Sequence, residues 1–137
     1  MANALYPKTK AKFLQALIDL SDPYLDIKAV LVDTGQYTYS AAHEFLSDVP
    51  AGARIAISDA LVNVTVDADT AAFDSDDPII AGVTGDTIEA IVLFVDTGVA
   101  ATSALIMFQD TNITGAPLTP TGGNVQIFVD ATGWFVL

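Results

Sequence analysis

IEAIVLFVDTGVAATSALIMFQ, residues 88–109, contains two apolar runs, residues 88–95 and 104–108, around a small-residue loop that includes Asp96, Thr97 and Gly98. Each run is short and bounded by turn residues, which favours strands over a helix. Side chains along a strand alternate between its two faces, so Ile88, Ala90, Val92 and Phe94 are expected on one face and Ile91, Leu93 and Val95 on the other. A strand that is apolar on both faces must be covered on both. The stretch therefore predicts a hairpin at the centre of a packed β structure. It shows no chemistry.

Upstream, Phe13, Leu14, Leu17 and Ile18 recur at helical spacing and predict one helix over residues 8–20. Pro7 suits its first turn, and Ser21-Asp22-Pro23 ends the pattern. Such a helix, with lysines on its other face, is expected across the outside of the β core. Residues 26–33 read as a β-branched strand closed by Thr34-Gly35, and residues 36–39 as a short strand placing Tyr37 and Tyr39 on one face. Residues 40–46 read as a helical turn with Ser40 as its N-cap. Strands are expected at 53–58 and 61–67. In the second, Val62, Val64 and Val66 alternate with Asn63 and Thr65, as in a strand with one wet face.

Residues 67–77, DADTAAFDSDD, are the most polar stretch and predict a loop with a brief extended segment. Residues 111–124, rich in Thr, Gly and Pro, predict a long loop projecting from the body. The last hairpin is expected from residues 125–129 and 134–137 around the turn Asp130-Ala131-Thr132-Gly133. The apolar carboxyl-terminal strand should be paired and packed, so removing residues 133–137 is expected to unfold the domain. Together these elements predict an all-β fold: a β-sandwich or barrel of about eight short strands with one N-terminal flanking helix. Residues 1–24 form the arm and helix, and residues 25–137 a single β domain.

Composition narrows the function. The chain has 137 residues, no cysteine and a mean hydropathy of +0.48. Neither disulfides nor thiolate metal sites are available to it. No apolar run reaches the roughly 18 residues of a membrane-spanning helix, and the opening MANALYPKTK lacks the apolar segment of a signal peptide. An apolar chain of this size suggests surface hidden in an assembly. All five bases, Lys8, Lys10, Lys12, Lys28 and Arg54, lie in the first 54 residues, whereas the remainder carries a charge of −11. A body this acidic repels phosphate, which argues against nucleic acid as a partner.

The candidate chemical groups are sparse. His43 is the only histidine, and its neighbour Glu44 would point away from it on a helical turn, so they make a poor acid–base pair. No serine occupies a G-x-S-x-G elbow. Asp67, Asp69, Asp74, Asp76 and Asp77 offer the hard oxygen ligands calcium prefers, without the order of an EF-hand loop. Gly122-Gly123 precedes a strand and so is no phosphate cradle. The sequence assigns no catalytic, cofactor-binding or metal residue. A calcium-dependent carbohydrate-binding module is a third reading, supported by the acidic loop alone.

Several segments resemble a family of small virion proteins from tailed bacteriophages: DIKAVLVD at 26–33, Tyr37 with AHEFLSD at 42–48, and PAGARIA at 50–56. Further on come residues 89–93, Asp96-Thr97-Gly98, Ala101-Thr102-Ser103 with Leu105-Ile106, and Gly122-Gly123. The match runs in consistent order along nearly the whole chain and departs at residues 67–77 and in the length of 20–25. The resemblance implies a non-enzymatic structural protein, most directly a capsid decoration (cement) protein on the virion surface. Such a protein would bind the major capsid protein and copies of itself as a dimer or trimer. A tail, collar or fibre component is the alternative.

Overall fold

The structure, a computed structural model, describes residues 3–137. Among them the strands are β1 (Ala4–Leu5), β2 (Ile27–Val32), β3 (Arg54–Ile57), β4 (Thr65–Val66), β5 (Ala72–Asp74), β6 (Ile79–Ile80), β7 (Ala90–Val95), β8 (Leu105–Gln109), β9 (Val125–Gln126) and β10 (Phe135–Val136). One helix, α1 (Pro7–Leu14), lies between β1 and β2. The ten strands form three antiparallel sheets in the orders β1-β8-β7-β2-β3, β10-β5-β4 and β6-β9. The fold is all-β with one N-terminal helix, as the sequence predicts.

The central strand is β7, and all six of its residues are buried. Ile91, Leu93 and Val95 join a cluster with Ile27, Ala29 and Leu31 of β2, closed from outside by Phe73 and Ile80 of the smaller sheets and by Ile127 and Trp134, which adjoin β9 and β10. Ala90, Val92 and Phe94 face a second cluster with Tyr6, Tyr37, Leu46, Val49 and Ala53. Coverage on both faces is what a strand without a polar side requires. Ile88 departs from the expected alternation. It bridges Leu118 before the regular strand begins and packs with the Leu93 cluster. Between β7 and β8 the register slips, Leu93 facing Met107 and Phe94 facing Leu105. Ile106 is the extra residue of this β-bulge.

The helix is shorter than the periodicity predicts. It stops at Leu14 in a Schellman turn: the Leu17 N–H donates to Lys12 O (2.9 Å) and the Ala16 N–H to Phe13 O (3.1 Å). Ala16 therefore sits at φ 56°, in the left-handed region where a Cβ is unfavourable. Ala16 is exposed. Ala16→Gly is expected to stabilise the fold by about 0.5–1 kcal/mol, read as a higher denaturation midpoint at unchanged m-value. Thr9 and Phe13 are the inward residues of α1, and the Thr9 hydroxyl donates to Leu105 O. β1 makes the N-terminal segment an edge strand of the large sheet, pairing Ala4 with Phe108 and Leu5 with Met107. The first two residues of the expected arm lie outside the described residues.

Other local readings yield to tertiary pairing. Residues 36–39 are not a strand: Asp33 O accepts both the Gln36 and Tyr37 N–H groups in a turn. Tyr37 and Tyr39 then turn inward, their ring centroids 6.1 and 5.5 Å from Phe108. Residues 40–43 form a β-turn closed by His43 N–H on Ser40 O (3.1 Å), and the 3₁₀ turn begins only at Leu46. Of residues 61–67 only β4 is a strand. Asn63 at φ 52° breaks the run, and Val62 and Val66 are exposed rather than buried. The expected last hairpin does not form either. Its turn exists, with Gly133 N–H on Asp130 O (2.8 Å), but β9 pairs with β6 and β10 with β5. The 111–124 loop is fastened to the body by two bonds between Leu118 and Ile88 and two joining Val83 to Gly122 and Gly123.

Candidate functional site

The structure separates His43 from Glu44. His43 Nδ1 lies 2.9 Å from the Tyr37 hydroxyl, which lies 2.8 Å from the buried Tyr6 hydroxyl. With Nδ1 as acceptor, Tyr37 gives it its only proton and Tyr6 must donate to the Tyr37 oxygen. Burial pushes the Tyr6 phenol far above its usual value and that of Tyr37 up to about 12, so both keep their protons at neutral pH. The chain of three groups fastens the segment between β1 and α1 to the layer that covers Phe94. Glu44 turns instead to the helix, 3.1 Å from Lys12 Nζ and 3.9 Å from Lys8 Nζ, while Lys12 also lies over the Phe45 ring at 4.6 Å.

The carboxylates of Asp67, Asp74, Asp76 and Asp77 point at separate donors. Asp67 accepts the N–H groups of Asp69 and Thr70, Asp74 that of Ser75, and Asp77 that of Val129. Asp76 takes the Asn63 side-chain amide. Among the described residues no group of three or more His, Cys, Asp or Glu side chains is placed to hold a metal ion. The acidity has a structural use: short aspartates satisfy backbone N–H groups at turns. Asp33 takes Gly35 N–H, Asp96 takes Gly98 N–H, and Asp130 takes Thr132 N–H.

These bonds set a pH dependence. Asp19 is held below the usual carboxylate range by the Ser21 hydroxyl and N–H, and Asp33 by the Gln36 amide and Gly35 N–H. The N–H groups of Glu44 and Phe45 lower Asp48, those of Asp69 and Thr70 lower Asp67, Lys28 lowers Asp96, and Thr132 lowers Asp130. The folded state thus binds fewer protons than the unfolded one below about pH 4. Stability from these groups is complete above the ordinary carboxylate range and lost as pH falls through the depressed folded values. The urea midpoint is expected to drop between pH 5 and pH 3 in moderate salt, which screens the relief of the −12 charge. A midpoint that rose over that interval would show that charge repulsion outweighs the turn bonds.

An apolar groove runs between Phe13, Ile18 and Leu20 on one side and Phe73, Phe135 and Leu137 on the other. At the end of α1 two leucines project outward, Leu14 91% and Leu17 70% exposed. The sequence pattern suggests burial for both, but α1 turns Thr9 and Phe13 inward and Leu14 outward, and the chain leaves the helix at Ala16 before Leu17. On the outer face of the β6–β9 pair, Ile79 and Phe128 are 58% and 55% exposed. No periodicity in the sequence marks that pair. No family model matches the chain, and no curated protein matches it. Among the described residues no helix is long and apolar enough to cross a membrane.

Proposed function

We propose that this chain is a non-enzymatic structural protein of a tailed-phage virion, most directly a capsid decoration protein that binds the major capsid protein and further copies of itself. The observation that carries the reading is where the phage-like segments fall. Residues 26–33 contain β2, 50–56 run into β3, 89–93 enter β7, and Leu105-Ile106 open β8. Tyr37 and Leu46, from the remaining segments, cover the Phe94 face. The resemblance therefore falls mostly on β2, β3, β7 and β8 of the large sheet and on its covering layer, with Gly122-Gly123 outside them, and its departure at 67–77 falls on β5 and the turn before it.

A rigid sheet of this kind suits a clamp. Decoration requires surface that stays in place while it is buried across joints between capsid subunits, about 1,000 Å² or more in total for a specific contact. The exposed leucines at the end of α1 supply apolar anchor points for it. The alternative, a tail, collar or fibre component, uses the same rigidity as an adaptor. Quantitative mass spectrometry of purified particles tests both. A copy number comparable with that of the major capsid protein is expected for decoration. A small multiple of six would favour the tail, and absence from intact particles would overturn the proposal.

A further inference from the structure

We infer that a proton on His43 unlatches the N-terminal segment, β1 and α1, from the body, so that the segment is held at neutral pH and loosened in mildly acidic solution. This goes beyond the reading above and does not depend on the virion assignment.

Counting protons gives the direction. Tyr6, Tyr37 and His43 share two hydrogen bonds, of 2.8 and 2.9 Å, and among the described residues neither hydroxyl has another partner. Both phenols keep their protons, because burial pushes them above their usual range. With His43 neutral and Nδ1 accepting, two hydroxyl protons fill two bonds. A protonated imidazole donates from both ring nitrogens, so three protons then compete for the same two bonds. Whichever way the chain runs, one hydroxyl proton loses its acceptor, and both hydroxyls belong to buried side chains. A buried donor without an acceptor is costly. The chain therefore gives way at His43, its half-buried end.

The charges around His43 leave this count to decide. Asp48, in the 3₁₀ turn, attracts a charged imidazole, but its carboxylate is engaged by the Glu44 and Phe45 N–H groups. Glu44, the next residue, faces Lys12 at 3.1 Å and Lys8 at 3.9 Å, both from α1. These two acids and two bases sum to zero. Tyr39, the third phenol of the layer, packs on Tyr6 with ring centroids 5.0 Å apart. The turn that His43 closes, by its N–H on Ser40 O (3.1 Å), leads directly into Glu44 and so into the second grip on α1. Tyr6 is the first grip. Its N–H donates to Ile106 O at 3.0 Å, and its carbonyl accepts the Thr9 and Lys10 N–H groups at 3.0 and 3.1 Å. Release of His43 thus reaches the segment through Tyr6 and through Glu44. Little else ties it down in β1, which pairs only Ala4 and Leu5 with β8.

Amide hydrogen exchange, followed by NMR on the full chain at about pH 7.5 and about pH 5, tests this. Histidine changes charge in that interval, whereas carboxylates do so mostly below it. After correction for the intrinsic pH dependence of exchange, protection of the Tyr6, Thr9 and Lys10 amides should fall at least about fivefold at the lower pH. Val92 and Leu93, in the central strand, should keep theirs. His43 is the only histidine, so its ring-proton resonance reports its charge, and the fall should follow that titration. His43→Asn sets an amide oxygen in place of Nδ1, an acceptor at both pH values, and should abolish the fall. Tyr37→Phe removes both bonds and should leave protection equally weak at the two pH values. Unchanged protection in the unaltered chain, a fall that does not track the His43 resonance, or a fall that persists in either variant would overturn the inference. The unaltered chain decides the matter if circular dichroism shows a variant unfolded.

Discussion

A chain lacking residues 133–137 should show no cooperative unfolding transition, and Gly133→Ala alone should lower the melting temperature by roughly 10 °C. Truncation removes β10, which closes the small sheet through the Phe135–Phe73 and Val136–Ala72 pairs, and with it Trp134. Trp134 is buried in the Leu93 cluster, and its indole N–H donates to Ser75 Oγ at 2.8 Å. Burying such a side chain contributes several kcal/mol, a large share of the 5–15 kcal/mol typical of a whole domain. Gly133 is where the chain enters this contact. It sits at φ 99°, and a Cβ there would stand 2.5 Å from the Phe73 carbonyl oxygen and 3.2 Å from its carbon. That carbonyl is fixed, since it accepts the Trp134 N–H at 2.7 Å and belongs to β5. Backbone strain of about 1–2 kcal/mol and the forced separation of two strands give a loss of about 3 kcal/mol, at about 4 °C per kcal/mol for this length. Gly82→Ala is the control: it has φ 62° with nothing within 4 Å of a new Cβ, so only the strain applies. Equal losses at the two positions would show that the contact with Phe73 is unimportant.

The parts of this fold legible in the sequence are those fixed by long apolar runs. β7, β8 and β2 are each five or six residues long and nearly all buried, so hydrophobicity alone marks them. The repeated Val-Asp-Thr-Gly at 32–35 and 95–98 is the same strand exit used twice, with aspartate on the glycine N–H at 2.8 and 2.9 Å. By contrast β4, β6, β9 and β10 have two residues each, and their pairing is decided by distant partners. Residues 125–137 contain a good local turn, which is why a hairpin is the natural expectation. Phe73 and Ile80 compete for its two arms and take one each. The helix ends earlier than its periodicity predicts for a similar reason: Leu17 and Ile18 keep the period while the backbone leaves it at Ala16. The exposure of Leu14 and Leu17 is illegible in the sequence, because apolar residues at helical spacing look the same whether or not the core covers them.

Leu93→Ala and Phe94→Ala should each cost about 3–5 kcal/mol, by emptying different clusters. Leu93 is fully buried with Ile27, Leu31 and Met107 on the side of the small sheets. Phe94 packs with Tyr6, Tyr37 and Phe108 on the other. The two residues are neighbours in the chain yet share no packing partners across β7. Losses at sites more than about 7–10 Å apart and without shared partners add to within about 0.5 kcal/mol, and the two faces of the central strand should behave likewise although their residues are adjacent, because the clusters they join are separate. The double variant would lose about 6–10 kcal/mol, comparable with the whole stability of many domains, and a milder pair makes addition measurable. Ile91→Val, on the Leu93 side, should cost about 1 kcal/mol, and Val92→Ala, on the Phe94 side, about 2 kcal/mol. Urea denaturation of the combination should give their sum. A coupling above about 1 kcal/mol would mean that the strand itself shifts when either side is emptied. The rigidity on which the clamp proposal relies would then be absent from the strand best placed to supply it.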